Sequence, residues 1–376
     1  MILRVRPCPG SVFAAAVIIM SLSLAPPAAA QNFVMDLETN DSGVTPSSQP
    51  DPNFPGDTVR KGQEGWVRMS FVVTADGRAI DPIIIDSVGG SGFEREAKAV
   101  LPRWQYEPRE HESPGALVDL RFEIYRGRDA ATSNFIRRYK RIVTHLYHEE
   151  AATARELVDA ASELGGWNLY ESVMLWLMQG RVAGAEGDDT AKLEHYRRAL
   201  GVSDSQSLFG EDKCELLRKI FELEVQHGQY AAAKETLAHL KRVPGHKDDI
   251  EMLAEKITEM QARLDSDEML VARGTLYNTC DCEDGEPIWN YAPARREFSF
   301  ANFDEGVDRF EARCRSGRIS GMVETDRTWT LPDSWGSCRI YVFGEDGASF
   351  DFREHEVKDS NVVTEDAAVA RGNVLD

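Results

Sequence analysis

Positive charge is what this sequence is short of: 43 Lys and Arg stand against 63 Asp and Glu in 376 residues, a formal net charge of −20. A phosphate backbone needs a basic face, so this balance argues against nucleic acid as a partner. Long apolar runs are missing beyond residue 30, where no stretch approaches the ~20 residues that a membrane-crossing helix needs. Cysteine is scarce, six in all. Catalytic signatures are absent too: there is no Gly-x-Ser-x-Gly elbow, no P-loop and no dinucleotide glycine pattern. What is present is a composition with 42% hydrophobic and 28% charged residues, which fits folded domains rather than a disordered chain. The length suits two or three modest domains better than one core.

Residues 1–30 read as a processing signal. Arg4 and Arg6 give it a positive start, residues 12–24 (VFAAAVIIMSLSL) are apolar, and Pro26-Pro27 ends the run. Ala28-Ala29-Ala30 before Gln31 fits a small-residue cleavage site, and Cys8 lies too early for lipid attachment. The reading is therefore an exported, periplasmic protein, with an uncleaved inner-membrane anchor facing the periplasm as the alternative. Export favours disulfides. Cys280, Cys282, Cys314 and Cys338 fall in the last hundred residues and read as two local bridges, leaving Cys214 spare. Cys280 and Cys282 are too close to bridge each other without strain. Each is expected to pair with Cys314 or Cys338, in either order.

The fold class expected is α+β in three parts. Residues 31–50 read as a linker that overlaps a Ser/Pro/Asp/Gly-rich stretch, 40–57 (NDSGVTPSSQPDPNFPGD), and a domain follows over 51–128. Val67, Met69, Phe71 and Val73 alternate with more polar residues, a strand with one buried face. Asp76-Gly77 marks a turn into a return strand over 80–86. Phe93, Ala97 and Val100 recur at helical spacing over 93–103, where Pro102 stops the helix. Residues 117–125 form another strand, giving β-β-α-β. Residues 133–265 are helical, 268–358 are β-rich with disulfides, and 359–376 read as a flexible tail. In the β-rich part, 323–330 and 339–343 are strand-like. Phe310, Ala312 and Cys314 share one strand face, as do Cys338, Ile340 and Val342.

Three features invite chemistry and support little of it. His145 and His148 could share a face of a helix, but the order is not that of a zinc protease, and no metal is expected. Residues 281–286 (DCEDGE) lack the alternating oxygen ligands of a calcium loop. Cys214 sits among acids, a setting that disfavours a thiolate. No cofactor is expected, and the chain reads as no enzyme; a dispersed site in the β-rich part is the remaining alternative.

The segment 93–108 (FEREAKAVLPRWQYEP) closely resembles the helix and following stretch of the TonB C-terminal domain family. Asn53-Phe54-Pro55, Gly65-Trp66-Val67, Phe71, Asp76-Gly77-Arg78 and Ser87 agree with it in order. In the helical part, Gly228-Gln229-Tyr230 with Ala233, Leu237, Leu240 and Pro244 resembles a tetratricopeptide repeat, as do Trp176, Gly180, Gly187, Tyr196 and Ala199 more loosely. The first resemblance implies a partner: a short extended motif of outer-membrane TonB-dependent receptors, or another envelope protein, added as a strand to a free sheet edge. The edge it implies is Leu117, Val118, Asp119, Leu120, Arg121, Phe122, Glu123, Ile124 and Tyr125, with Asn53, Phe54 and Pro55 beside it. It also implies energy-dependent transport across the membrane, driven by inner-membrane motor proteins. Against the motor, residues 12–24 contain no ionisable side chain, no long Pro-rich spacer follows, and the domain is not C-terminal. A periplasmic scaffold that uses the same surfaces without a motor is the alternative.

Overall fold

The computed structural model describes residues 32–36, 44–124, 131–203, 208, 210–279, 285–325 and 327–356. Its first region holds β1 (Asn32–Asp36), β2 (Pro46–Ser48), α1 (Gly56–Lys61), β3 (Gly65–Val73), β4 (Ala79–Val88), α2 (Ser91–Val100), β5 (Gln105–Tyr106) and β6 (Ser113–Glu123). One antiparallel sheet runs in the order β1-β6-β3-β4, and β2 pairs with β5 beside it. The β3–β4 turn closes through Gly77, whose amide donates to the Thr74 carbonyl at 2.9 Å. Gly77 has φ +85°, and a Cβ there would lie 2.2 Å from the Tyr106 carbonyl oxygen. Only glycine satisfies both demands.

Alternation along β3 sends Val67, Met69, Phe71 and Val73 into a core with Phe93, Ala97 and Val100 of α2, Trp104, and Val118, Leu120 and Phe122 of β6. Those α2 residues are the ones that helical spacing selects. The helix itself ends at Val100, and a tight 3₁₀ turn over Leu101–Arg103 accommodates Pro102.

Three expectations about this region need correction. β3 is buried on both faces, not one, with Trp66, Ser70 and Val72 nearly inaccessible. Other regions of the chain cover its second face, and alternation within the strand cannot report them. The stretch 31–50 contains two strands, β1 and β2, and Pro50 accepts the Trp104 indole N–H at 3.0 Å through its carbonyl. β6 begins at Ser113 rather than at 117 as expected.

The second region is helical: α3 (Ser133–Tyr147), α4 (Ala151–Leu164), α5 (Leu169–Glu186), α6 (Asp189–Val202), α7 (Gly210–Gln226), α8 (Tyr230–Leu240), α9 (Lys247–Met252) and α10 (Ala254–Leu264). Asn168 and Glu171 cap α5 reciprocally. A Cβ at Gly180 would lie 2.4 Å from the Tyr196 ring, so glycine sets how closely α5 and α6 approach.

The third region carries β7 (Leu270–Thr275), β8 (Ile288–Tyr291), β9 (Glu297–Ala301), β10 (Val307–Cys314), β11 (Arg318–Met322), β12 (Thr328–Thr330), β13 (Cys338–Gly344) and β14 (Ser349–His355). Its two four-stranded sheets, β11-β10-β13-β8 and β12-β9-β14-β7, share one aromatic core that includes Trp289, Phe298, Phe300, Phe310, Phe350 and Phe352. The strand expected over 323–330 shortens to β12, and β11 is an addition. Cys314 and Cys338 face this core as alternation requires, but they bond to each other, correcting the expected pairing with Cys280 and Cys282. They are directly opposite in the β10–β13 register, with Cα atoms 3.9 Å apart. Cys280 and Cys282 lie outside the described residues, as do most of the acidic turn and the expected tail. Cys214 is buried in the helical core beside Leu217 and Phe221.

Candidate functional site

The candidate strand β6 is central to the first sheet rather than outermost. β3 pairs along one side of it, and β1 lies along the other. The β1 register opposes Asn32 to Glu123, Phe33 to Phe122, Val34 to Arg121, Met35 to Leu120 and Asp36 to Asp119. Residues 119–123 therefore have a strand on their outer side, while Leu117 and Val118 fall outside that pairing. The start of β6 abuts the third region instead: Ser113 Oγ donates to the Arg315 carbonyl at 2.8 Å, and a Cβ at Gly115 would lie 3.1 Å from the Cys314 carbonyl oxygen. Of the residues singled out from sequence, Asp119–Glu123 are the ones that β1 pairs with. Ile124 follows them, its amide donating to Glu64 Oε1 at 2.6 Å, and Tyr125 lies outside the described residues.

The two faces of this stretch differ. Leu120 and Phe122 belong to the apolar core. Phe54 packs edge-on against Phe122 and Phe93, with ring centroids 5.8 and 5.7 Å away. The segment 53–55 is therefore brought beside β6; Phe54 and Pro55 pack inward, while Asn53 stays exposed. On the opposite face, Arg68 of β3 grips Asp119 with two bonds of 2.8 and 2.7 Å. Arg121 holds Glu123 at 2.5 Å and also donates to the Val202 carbonyl at the end of α6. Glu64 accepts the Leu169 amide at the start of α5 at 2.9 Å. Buried charges are tolerated only when paired in this way.

The other edge of the sheet, β4, is closed by different groups. Arg313, whose side chain is 0% exposed, donates to the Asp81 carbonyl at 2.9 Å and pairs with the Asp81 and Glu311 carboxylates. Thr279 Oγ1 donates to the Ile85 carbonyl at 2.6 Å, and the Ser87 amide donates to the Thr279 carbonyl at 3.3 Å. Arg198 of α6 grips Asp86 at 2.9 Å and reaches the Ser87 and Thr279 carbonyls. Burial pushes the Asp86 carboxyl upward from its ordinary range, and Arg198 counteracts that shift. Sequence reading missed Arg68, Glu64, Arg198, Arg313 and Thr279, because their partners are distant in sequence: on β6 for Arg68, and on other regions of the chain for Glu64, Arg198, Arg313 and Thr279. The one available hint was a charge, such as Arg68, set between apolar strand residues.

A cleft of about 470 Å³ opens between the β4–α2 loop and the helices. Trp167, Trp176, Gln179 and Arg198 line it together with Gly89 and Gly165. Arg198 also stacks on Trp176 at 4.6 Å. His145 bonds to Glu150, and no group of metal-ligating side chains occurs among the described residues. No helix among them is long and apolar enough to cross a membrane.

Part of the chain is similar to known proteins. Residues 50–124 match the family model of the Gram-negative bacterial TonB protein C-terminal, and this segment is a TonB C-terminal domain. Protein TonB of Pseudomonas aeruginosa is 36% identical over 70 residues, 19% of this chain and 20% of that protein. Protein TonB of Escherichia coli K12 is 36% identical over 83 residues, 22% of this chain and 34% of that protein. The solution NMR structure of the Pseudomonas aeruginosa TonB CTD aligns at 30% identity over 24% of this chain and 95% of that one, with a TM-score of 0.21. The chain thus spans between a fifth and about a third of the length of these curated relatives.

Proposed function

We propose that this chain is a non-enzymatic, periplasmic TonB-like docking protein that takes up an extended segment of an outer-membrane receptor on the outer edge of β6, in the service of energy-dependent transport. One observation carries the reading: residues 119–123 already accept an antiparallel strand, β1, on that edge. Backbone pairing there supplies affinity, and the positions beside Phe122 and Phe54 supply selectivity. Synthetic peptides from the periplasmic N-terminal segments of outer-membrane receptors test it, titrated into the chain from Gln31 onward with β6 amides followed by NMR. Shifts concentrated at 119–123 are expected, and no change at millimolar peptide overturns the reading.

A second reading is favoured by the way both sheet edges and the second sheet face are tied into the rest of the chain. There the protein is a periplasmic scaffold with no motor. Its helical pairs, α5–α6 and α7–α8, act as tetratricopeptide-like units presenting a further binding surface. Fractionation and N-terminal sequencing of the cellular protein separate the two. A product beginning at Gln31 in the soluble fraction favours the scaffold, whereas a membrane-bound product beginning at Met1 favours the transducer.

A further inference from the structure

We infer that Asn32–Asp36 is an internal occupant of the docking edge, so that a partner segment binds by replacing β1 rather than by adding to a bare strand. This rests on the docking reading above and specifies how the site is regulated. Three observations lead to it. First, β1 ends the sheet and pairs with β6 alone, so an incoming strand would restore the same ladder that it removes. Exchange of one strand for another conserves backbone hydrogen bonds, and the outcome turns on side chains and effective concentration.

Second, β1 is an imperfect match to its place. Its register opposes Asp36 to Asp119 and Asn32 to Glu123. Like charges directly opposite on neighbouring strands are destabilising, and Arg68 already serves Asp119 from the other side. β1 already sets Met35 and Phe33 opposite Leu120 and Phe122, so a competitor that keeps apolar residues there and places a neutral or basic residue opposite Asp119 is better suited to the edge. That describes the partner: an extended segment with alternating apolar residues and no acid at the position of Asp36. Third, the sheet offers no equivalent place elsewhere, because Arg313, Thr279 and Arg198 occupy the β4 edge.

The occupant is tethered, with β2 beginning ten residues after Asp36. Short tethers give effective concentrations on the order of millimolar, so an untethered competitor of similar intrinsic affinity is suppressed by tenfold or more, an order-of-magnitude figure.

The probe is the chain's own strand, a synthetic peptide of residues 31–37 (QNFVMDL), titrated by fluorescence anisotropy. Two proteins are compared: the chain from Gln31, and the same chain with Phe33→Pro and Met35→Pro, which removes strand donors from β1 without shortening it. A second variant lacking residues 31–37 covers the case in which the proline variant fails to fold, with circular dichroism as the check on folding. The expected result is peptide binding about tenfold or more tighter to the opened chain, and a peptide carrying Asp36→Lys binding tighter still. Equal affinity of intact and opened chains overturns self-occupancy and leaves the docking reading standing. No binding to a folded opened chain at millimolar peptide overturns both. A concentration-dependent dimer of the intact chain, abolished by the prolines, overturns the intramolecular form in favour of strand exchange between copies.

Discussion

The two edges of the TonB-like sheet are closed by different means, and the difference separates closure by side chains from closure by main chain. The β4 edge is sealed by side chains and a loop from distant parts of the sequence: Arg313, Thr279 and Arg198 each satisfy main-chain carbonyls there. Those groups belong to the packing of the β-rich and helical regions against the sheet, so opening this edge means taking the regions apart. The β6 edge over residues 119–123 is closed by a strand, whose ladder any other strand can reproduce. A closure made of side-chain geometry is specific and fixed; one made of main chain is exchangeable.

The largest expected effect comes from breaking the fixed edge. Arg313→Met removes a fully buried guanidinium and leaves Glu311 only the longer 3.8 Å contact to Arg318, a loss of about 3–5 kcal/mol as for a broken buried ion pair. Thermal denaturation should show it, while any folded fraction keeps its affinity for strand peptides. Equal loss of that affinity would mean that the two edges are not independent.

Acidification should weaken the same side of the molecule. His195 lies on α6, three residues before Arg198, and burial pushes its pKa down to about 4, with Arg198 and Arg155 adding to the shift. The unfolded chain takes up a proton near pH 6.5 that the folded chain refuses, so stability is intact above pH 6.5 and is lost as pH falls from there towards 4. The slope is up to about 1.4 kcal/mol per pH unit. Urea unfolding across that range should be flatter for His195→Gln, if the account of this edge is right.

Smaller effects sharpen the contrast. Phe54→Ala removes two edge-on aromatic contacts beside β6, costing about 1–2 kcal/mol, and should also weaken strand-peptide binding in calorimetry. Thr279→Val removes a single hydrogen bond from the β4 edge, about 1 kcal/mol, and should leave peptide binding unchanged.

What could be read in the sequence follows the range over which each residue acts. Val67, Met69, Phe71, Phe93, Ala97 and Val100 form a local core, and their spacing announces both strand and helix. Gly77 announces its turn. The aromatic segment 53–55 and the strand 119–123 were legible through the family pattern that they share. Long-range closure was not: Trp66 and Val72 look like the solvent side of an alternating strand until the other regions cover them. The Cys314–Cys338 bond was hidden for a similar reason, since register across two strands decides it rather than spacing along one. β1 was concealed because residues 32–36 adjoin the Ser/Pro/Asp/Gly-rich stretch and read as linker with it.

Hydrogen exchange on the chain from Gln31, with and without a receptor-derived strand peptide, tests the central claim most directly. The amides of residues 32–36 should lose protection when the peptide binds, while those of 119–123 keep theirs. Unchanged protection of 32–36 at saturating peptide would contradict that claim, because the peptide would then be held elsewhere.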